Sequence, residues 1–228
     1  MEARENLMSG MEMPQALPPL PEAPLEGEAL RKLGLADMTA LALAMLREGA
    51  MNAASPLRKP ALSTISAEGA PTLRTVFLRG FDPAERRLDI FTDARSPKAA
   101  EIAAEPRAAM LFYDPVPDIQ LRLSGRAAVH RRGAAADAAW SGAALSSRRA
   151  YLVTTPPATP SPEPVSGLPL DVEGIIPPLE RIEEGRANFA LLEFVFAEAD
   201  ILVLSRTGHR RARIRFSADA AQGEWLVP

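Results

Sequence analysis

Eight prolines fall between residues 154 and 178 of this 228-residue chain, and they constrain its fold more than any other feature. Proline fixes φ and donates no backbone hydrogen bond, so no helix or inner strand can run through most of that span. Ordered structure has to be built on either side of it. A connection this long is usually functional or mobile. At this length the chain can bury a sizeable core, as one large domain or two small ones.

Residues 1–25 carry five prolines and little periodicity, and read as a loose N-terminal arm. From Glu26 to about Ala53, the spacing of Leu30, Leu33, Leu41, Ala44, Met45 and Ala50 predicts one or two short helices. The character then changes. The segments ALSTIS (61–66), TLRTVFL (72–78), RLDIFTD (87–93), AAMLFYD (108–114) and IQLRLSGRAAVH (119–130) read as strands. Turn signals separate the first three, at Glu68-Gly69 with Pro71 and at Gly80 with Pro83, and Gly125 marks a bulge in the fifth. A helix opens at Ser96-Pro97 and stops before Pro106.

Residues 133–151 read as helical, anchored by Trp140, Leu145 and Tyr151, and PPLERIEEGRA adds a short helix. Strands follow near 189–197, 200–204, 210–216 and 224–227. Two groups of strands around a helical middle predict a mostly β, α+β fold with one barrel-like core. The expected organisation is an arm over 1–25 and a single domain over 26–228, with 154–178 as its Pro-rich loop.

Composition removes several function classes. The 26 Lys+Arg and 29 Asp+Glu leave a net charge of −3, which offers no general attraction to nucleic acid or acidic membranes. Aromatic residues are only 5%, too few for a base-stacking platform. There is no cysteine, hence no disulfide or thiolate chemistry. With His130 and His209 as the two histidines, a multi-histidine metal site is not expected. The opening Met1-Glu2-Ala3-Arg4-Glu5 lacks the apolar core of a signal peptide, and no stretch approaches the roughly 20 apolar residues of a membrane span. The expectation is a soluble, cytoplasmic protein without a metal.

Four stretches carry chemistry. In FTDARSPKAAEI (91–102), Ser96 fits a helix N-cap and Pro97 the first helical position. Helix N–H groups there, with Arg95 and Lys98, suit an anion such as phosphate; a plain capped helix with solvated cations is the alternative. In LRTVFLRG (73–80), alternation sends Arg74, Val76 and Leu78 one way and Thr75, Phe77 and Arg79 the other. Each arginine must then reach water or an anion. In IQLRLSGRA (119–127), Gln120, Arg122 and Ser124 share a polar face, and Gln120 can hydrogen-bond a heterocycle edge. In GHRRARIRF (208–216), His209, Arg211 and Arg213 share a face, as an anion surface or as a charge-protected edge strand.

The order and spacing of these stretches resemble the pyridoxamine 5'-phosphate oxidase family of FMN-binding split β-barrels, over roughly residues 60–228. The likeness rests on Arg74-Thr75-Val76-Phe77-Leu78-Arg79, on Phe91-Thr92-Asp93 with Ser96-Pro97-Lys98, and on Gln120 with Gly125. It extends to His209-Arg210-Arg211-Ala212-Arg213 with Trp225 and the terminal Pro228, and it is greatest to a branch of the family with a TDARSPK-like segment.

The resemblance implies a homodimer with two FMN molecules at the subunit interface. It implies that Arg74, Arg95, Ser96 and Lys98 hold the phosphate, and that the backbone of residues 75–78 lies along the flavin. Arg79, Phe91 and Thr92 complete that set, and Gln120 and Arg213 come from the partner copy. His209 and Arg211 would be substrate-binding; no catalytic residue is implied. The function implied is a flavin-dependent oxidoreductase acting on a small molecule, the alternative being a non-catalytic flavin-binding or stress-response protein. One arginine of the family's Ser-Arg-Lys is Pro97 here, and its substrate-binding Arg and His are exchanged in His209 and Arg211, so pyridoxine phosphate is not the expected substrate.

Overall fold

In the computed structural model, which describes residues 9–11, 17–217 and 220–228, the strand-forming segments join one antiparallel ten-stranded sheet. The strands are β1 (Ser9–Met11), β2 (Ala61–Ile65), β3 (Pro71–Thr75), β4 (Leu78–Asp82) and β5 (Arg87–Asp93). They continue as β6 (Arg107–Asp114), β7 (Ile119–His130), β8 (Phe189–Val203), β9 (Arg210–Phe216) and β10 (Ala221–Leu226). Helices α1 (Gly27–Arg31) and α2 (Leu35–Met51) precede β2, and α3 (Pro97–Ala104) follows β5. Between β7 and β8 lie α4 (Ala134–Gly142), α5 (Leu145–Arg148) and α6 (Leu179–Glu183).

The sheet runs β1-β10-β9-β8-β7-β6-β2-β3, with β4 and β5 branching off, and it does not close on itself. The branch point is β8. Its first half, Phe189–Val195, pairs with β5; its second half, from Glu198 to Val203, pairs with β9; β7 occupies its other edge. This is the split-barrel arrangement, and the fold agrees with the α+β expectation. The sheet wraps α2, whose Met38, Leu43, Met45 and Leu46 are buried in one cluster with Phe112, Leu121, Phe194 and Phe196. Each such side chain withdrawn from water contributes about 1.5–3 kcal/mol. The Asp37 carboxylate accepts the Gly34 N–H at 2.8 Å and fixes where that helix begins.

Several expectations need correction. The strand read over 72–78 is two strands, because the chain leaves β2 after Thr75 and pairs with β5 from Leu78. The strands read at 189–197 and 200–204 are one 15-residue strand. A register shift at Ser124/Gly125, where Gly125 was expected to bulge, lets β7 follow it throughout. Strand β9 lies between β8 and β10, so it is not an edge strand.

The N-terminal arm is docked wherever it is described. Ser9–Met11 pairs with β10, Leu17, Leu20 and Leu25 pack on the core, and Arg47 donates to the Leu17 (3.2 Å) and Pro18 (3.0 Å) carbonyls. Residues 1–8 and 12–16 lie outside the described residues. The Pro-rich loop forms no strand or helix over 154–178, and is anchored by the buried Val172.

Candidate phosphate cradle and the outer sheet face

Strand β5 ends in Thr92-Asp93, and a tight turn then delivers the chain to Pro97 at the first position of α3. Ser96 stands at the N-cap, as its sequence position predicts. Its hydroxyl, however, donates back to the Asp93 carbonyl at 2.7 Å and does not cap the helix. The helix therefore keeps the uncapped, positively polarised end that attracts anions.

Lys98 reaches across this end, donating to Thr92 Oγ1 (3.0 Å) and Ser96 Oγ (3.3 Å). Burial, together with the charge of Arg74, pushes the Lys98 ammonium below its ordinary value; Asp93 and Glu101 offset this in part. No carboxylate forms an ion pair with it among the described residues. A cation held among hydroxyls and disfavoured by its surroundings fits an anion that the protein itself does not supply.

Arg74 and Arg95 are set differently. Arg74 Nη2 pairs with Glu101 Oε2 of α3 at 2.9 Å and donates to Thr72 Oγ1 at 2.7 Å. Burial opposes ionisation of Glu101, but hydrogen bonds from Thr64, Thr72 and Arg74 outweigh it and hold the carboxyl below its usual range. Arg95 grips Asp93 through Nε (3.0 Å) and Nη2 (2.7 Å), and also donates to the Val153 (2.9 Å) and Thr154 (3.2 Å) carbonyls. It thus ties the start of the Pro-rich loop to the cradle. Three cations face two carboxylates here, which leaves room for one further negative group.

Arg79, just beyond, has no carboxylate partner among the described residues. Its guanidinium carbon sits 5.3 Å from the ring centres of both Phe77 and Phe91, and its Nε is buried without a hydrogen bond. Burial and the charge of Arg58 push its pKa down, and Tyr151 partly compensates. Of the neighbouring stretch, Val76 and Leu78 are buried while Thr75 and Phe77 are exposed.

The remaining predicted residues lie elsewhere. Gln120 and Arg211 flank Leu202 in one row of the outer sheet face, and Arg122, Asp200 and Arg213 form the next. Arg213 approaches Glu224 (3.5 Å) and Glu198 (3.7 Å). His209 lies just before β9, its Nδ1 accepting the Ser205 N–H at 3.0 Å, so Nε2 carries the proton of the neutral ring. Within one chain, no hydrogen bond or ion pair among the described residues joins Gln120, His209, Arg211 or Arg213 to Lys98. The sequence reading named Asp93 only within a motif and missed Glu101 and Asp200, the three being the carboxylates that hold its arginines. No group of three or more His, Asp or Glu is placed to hold a metal, and no helix is long and apolar enough to cross a membrane, among the described residues.

Residues 40–131 match the family model for pyridoxamine 5'-phosphate oxidase, FMN-binding domain. A pyridoxine/pyridoxamine 5'-phosphate oxidase of Pseudomonas paraeruginosa is 42% identical over 64 residues, 28% of this chain and 29% of that protein. Another, of Thermobifida fusca, is 49% identical over 51 residues, 22% of each chain. The chain thus matches less than a third of the length of these curated relatives.

Among solved structures, a pyridoxamine 5'-phosphate oxidase-related, FMN binding protein from Nostoc punctiforme superposes with TM-score 0.65 at 23% identity, covering 82% of this chain and 96% of that one. PhzG from Burkholderia lata, solved with tetrahydrophenazine-1-carboxylic acid, gives 0.63 at 17% identity, covering 91% and 100%. At such identities the likeness is one of fold. Residues 40–131 thus match the pyridoxamine 5'-phosphate oxidase, FMN-binding domain, and the fold that contains them is the split barrel of the Nostoc protein.

Proposed function

We propose that the chain is an FMN-dependent oxidoreductase that works on a small molecule. The observation that carries this reading is Lys98, a half-buried cation that pairs with no carboxylate among the described residues, at an uncapped helix end. In this reading Lys98, Ser96 and the α3 N-terminus take the 5'-phosphate of FMN. Arg74 and Arg95, fixed by Glu101 and Asp93, complete the cradle without having to be ordered on binding. The backbone of residues 75–78 lies along the ring system, and Arg79 faces its far side or the substrate. Bound FMN would supply the hydride chemistry, leaving the protein to bind, orient and exclude water.

Purified protein is expected to be yellow, with the absorption bands of bound flavin, and to be bleached by a reductant and restored by air. Colourless protein that gains no flavin from added FMN would sink the reading. Protein that holds flavin but turns over no donor would favour a carrier or sensor instead.

The cradle and the Gln120 and Arg211 rows are parts of one site only if a second copy supplies the latter, so we propose a two-fold dimer. The outer face supports this: Leu73 (70% exposed), Leu111 (39%) and Tyr113 (47%) lie bare beside the charged rows. An isologous contact covers such a patch on both copies at once. Sedimentation should give twice the 24.5 kDa chain mass, and a monomer that binds FMN tightly would refute the dimer.

A further inference from the structure

Asp200 is the most heavily engaged carboxylate on the outer sheet face. Its Oδ1 accepts Arg211 Nε at 3.0 Å, and its Oδ2 accepts Arg211 Nη2 at 3.0 Å and Arg122 Nη2 at 2.6 Å. Its side chain is 9% exposed, against 25% for Arg211 and 47% for Arg122. Burial works against its charge, but the two arginines outweigh that and hold the carboxyl below its usual range. Further along, Glu198 and Glu224 each approach Arg213 (3.7 and 3.5 Å) and Arg215 (3.3 and 2.8 Å) through single contacts.

Arg122, Asp200, Arg211 and Arg213 line one end of a groove of about 400 Å³ whose other end is apolar, with Leu73 and Leu111, and in the proposed dimer the partner copy would roof this groove. A guanidinium recognises a phosphate through a fork of two parallel N–H groups. The Nε–Nη2 fork of Arg211 is already filled, by a group of the protein itself.

We propose that Asp200 is a specificity-determining residue: by filling the fork of Arg211 and engaging Arg122, it makes this groove discriminate against phosphate monoesters. The ligand it admits brings an apolar body and at most a single negative charge to the arginine end. A second phosphate-bearing molecule beside the cofactor is disfavoured, although the face is rich in arginine. This inference rests on the reading of the chain as a flavin enzyme whose small-molecule substrate meets this face.

The test is calorimetric titration of the full-length protein, in excess FMN, with pyridoxine 5'-phosphate and with pyridoxine. Wild type should bind pyridoxine at least as tightly as its phosphate ester. Asp200→Asn should bind the phosphate ester roughly tenfold or more tighter with pyridoxine unchanged, the gain expected from one freed charge-assisted fork. Adding Arg211→Ala to that variant should remove the gain. Arg211→Ala alone should leave the wild-type phosphate-ester affinity within about twofold, because its fork is occupied; this arm decides the matter if Asp200→Asn does not fold.

Asp200→Asn indistinguishable from wild type would overturn the proposal. So would a wild-type preference for the phosphate ester that Arg211→Ala abolishes. Flavin content, read separately from the visible spectrum, shows whether the cofactor reading has failed on its own account.

Discussion

Gly125→Ala should destabilise the protein by about 3 kcal/mol or more, a large effect for one added methyl group. A Cβ at this position would lie 2.1 Å from the Val195 carbonyl oxygen and 2.7 Å from Phe196 Cα. Both obstacles are backbone of the central strand, so no side chain can swing aside. Gly125 is also where β7 changes register against β8, placing Ser124 opposite Glu198 and Gly125 opposite Phe196. Relief by slippage would move Arg122 out of register with Asp200, so the cost falls on stability and on the outer face together. Urea unfolding of the variant should show a strongly lowered midpoint. Gly142→Ala, with nothing within 4 Å of the new Cβ, is the control and should be near neutral. Equal midpoints for the two variants would mean that the β7–β8 contact is looser than described.

Arg74→Ala combined with Lys98→Ala should abolish flavin retention. Two charge-assisted contacts at about 1.5–3 kcal/mol each weaken binding by a few orders of magnitude. The two substitutions should part company in the apoprotein. Removing Arg74 strands Glu101 in its pocket, so Arg74→Ala alone should lower stability.

Lys98 is the reverse case. Its pKa is depressed on folding, chiefly by burial, so the unfolded chain binds its proton more tightly than the folded one. Apoprotein stability should therefore rise with pH between the lowered value and the ordinary lysine value, and Lys98→Met should remove that rise. Lys98→Met apoprotein is expected to be no less stable than wild type at neutral pH, while its FMN affinity collapses. A variant that loses stability but keeps its flavin would show that Lys98 is a structural residue.

What was legible in the sequence was local. Alternation and breakers placed β2, β5, β6 and β7 to within a residue or so, and Ser96-Pro97 located the start of α3. In β9 the alternation also divided the residues correctly, with Ala212 and Ile214 buried and Arg211 and Arg213 on the other face. Changes of strand partner were not legible. Nothing near Thr75 announces that the chain leaves β2 for β5, since Val76 and Leu78 continue the same alternation.

Two of the acidic partners, Glu101 and Asp200, were hidden for a related reason. Glu101 is 27 residues from Arg74, and Asp200 is 78 from Arg122. A cationic motif read without its distant carboxylates overstates the free charge, and Arg211 is the clearest instance. Lys98 escaped that error because the groups it contacts, Thr92 and Ser96, are close in sequence.

Strand β8 is also a ruler. Ala190 pairs with Thr92 at the cradle, and Asp200 lies ten residues further along the same extended backbone. At about 3.3 Å per residue that is roughly 30 Å, too far for one small molecule to span. In the reading proposed above, the two ends of the strand would be unlike halves that serve different ligands. In the dimer proposed above, one chain crippled in its cradle and another crippled in its outer rows would still assemble one whole site between them. In genetic language, the two defects would complement.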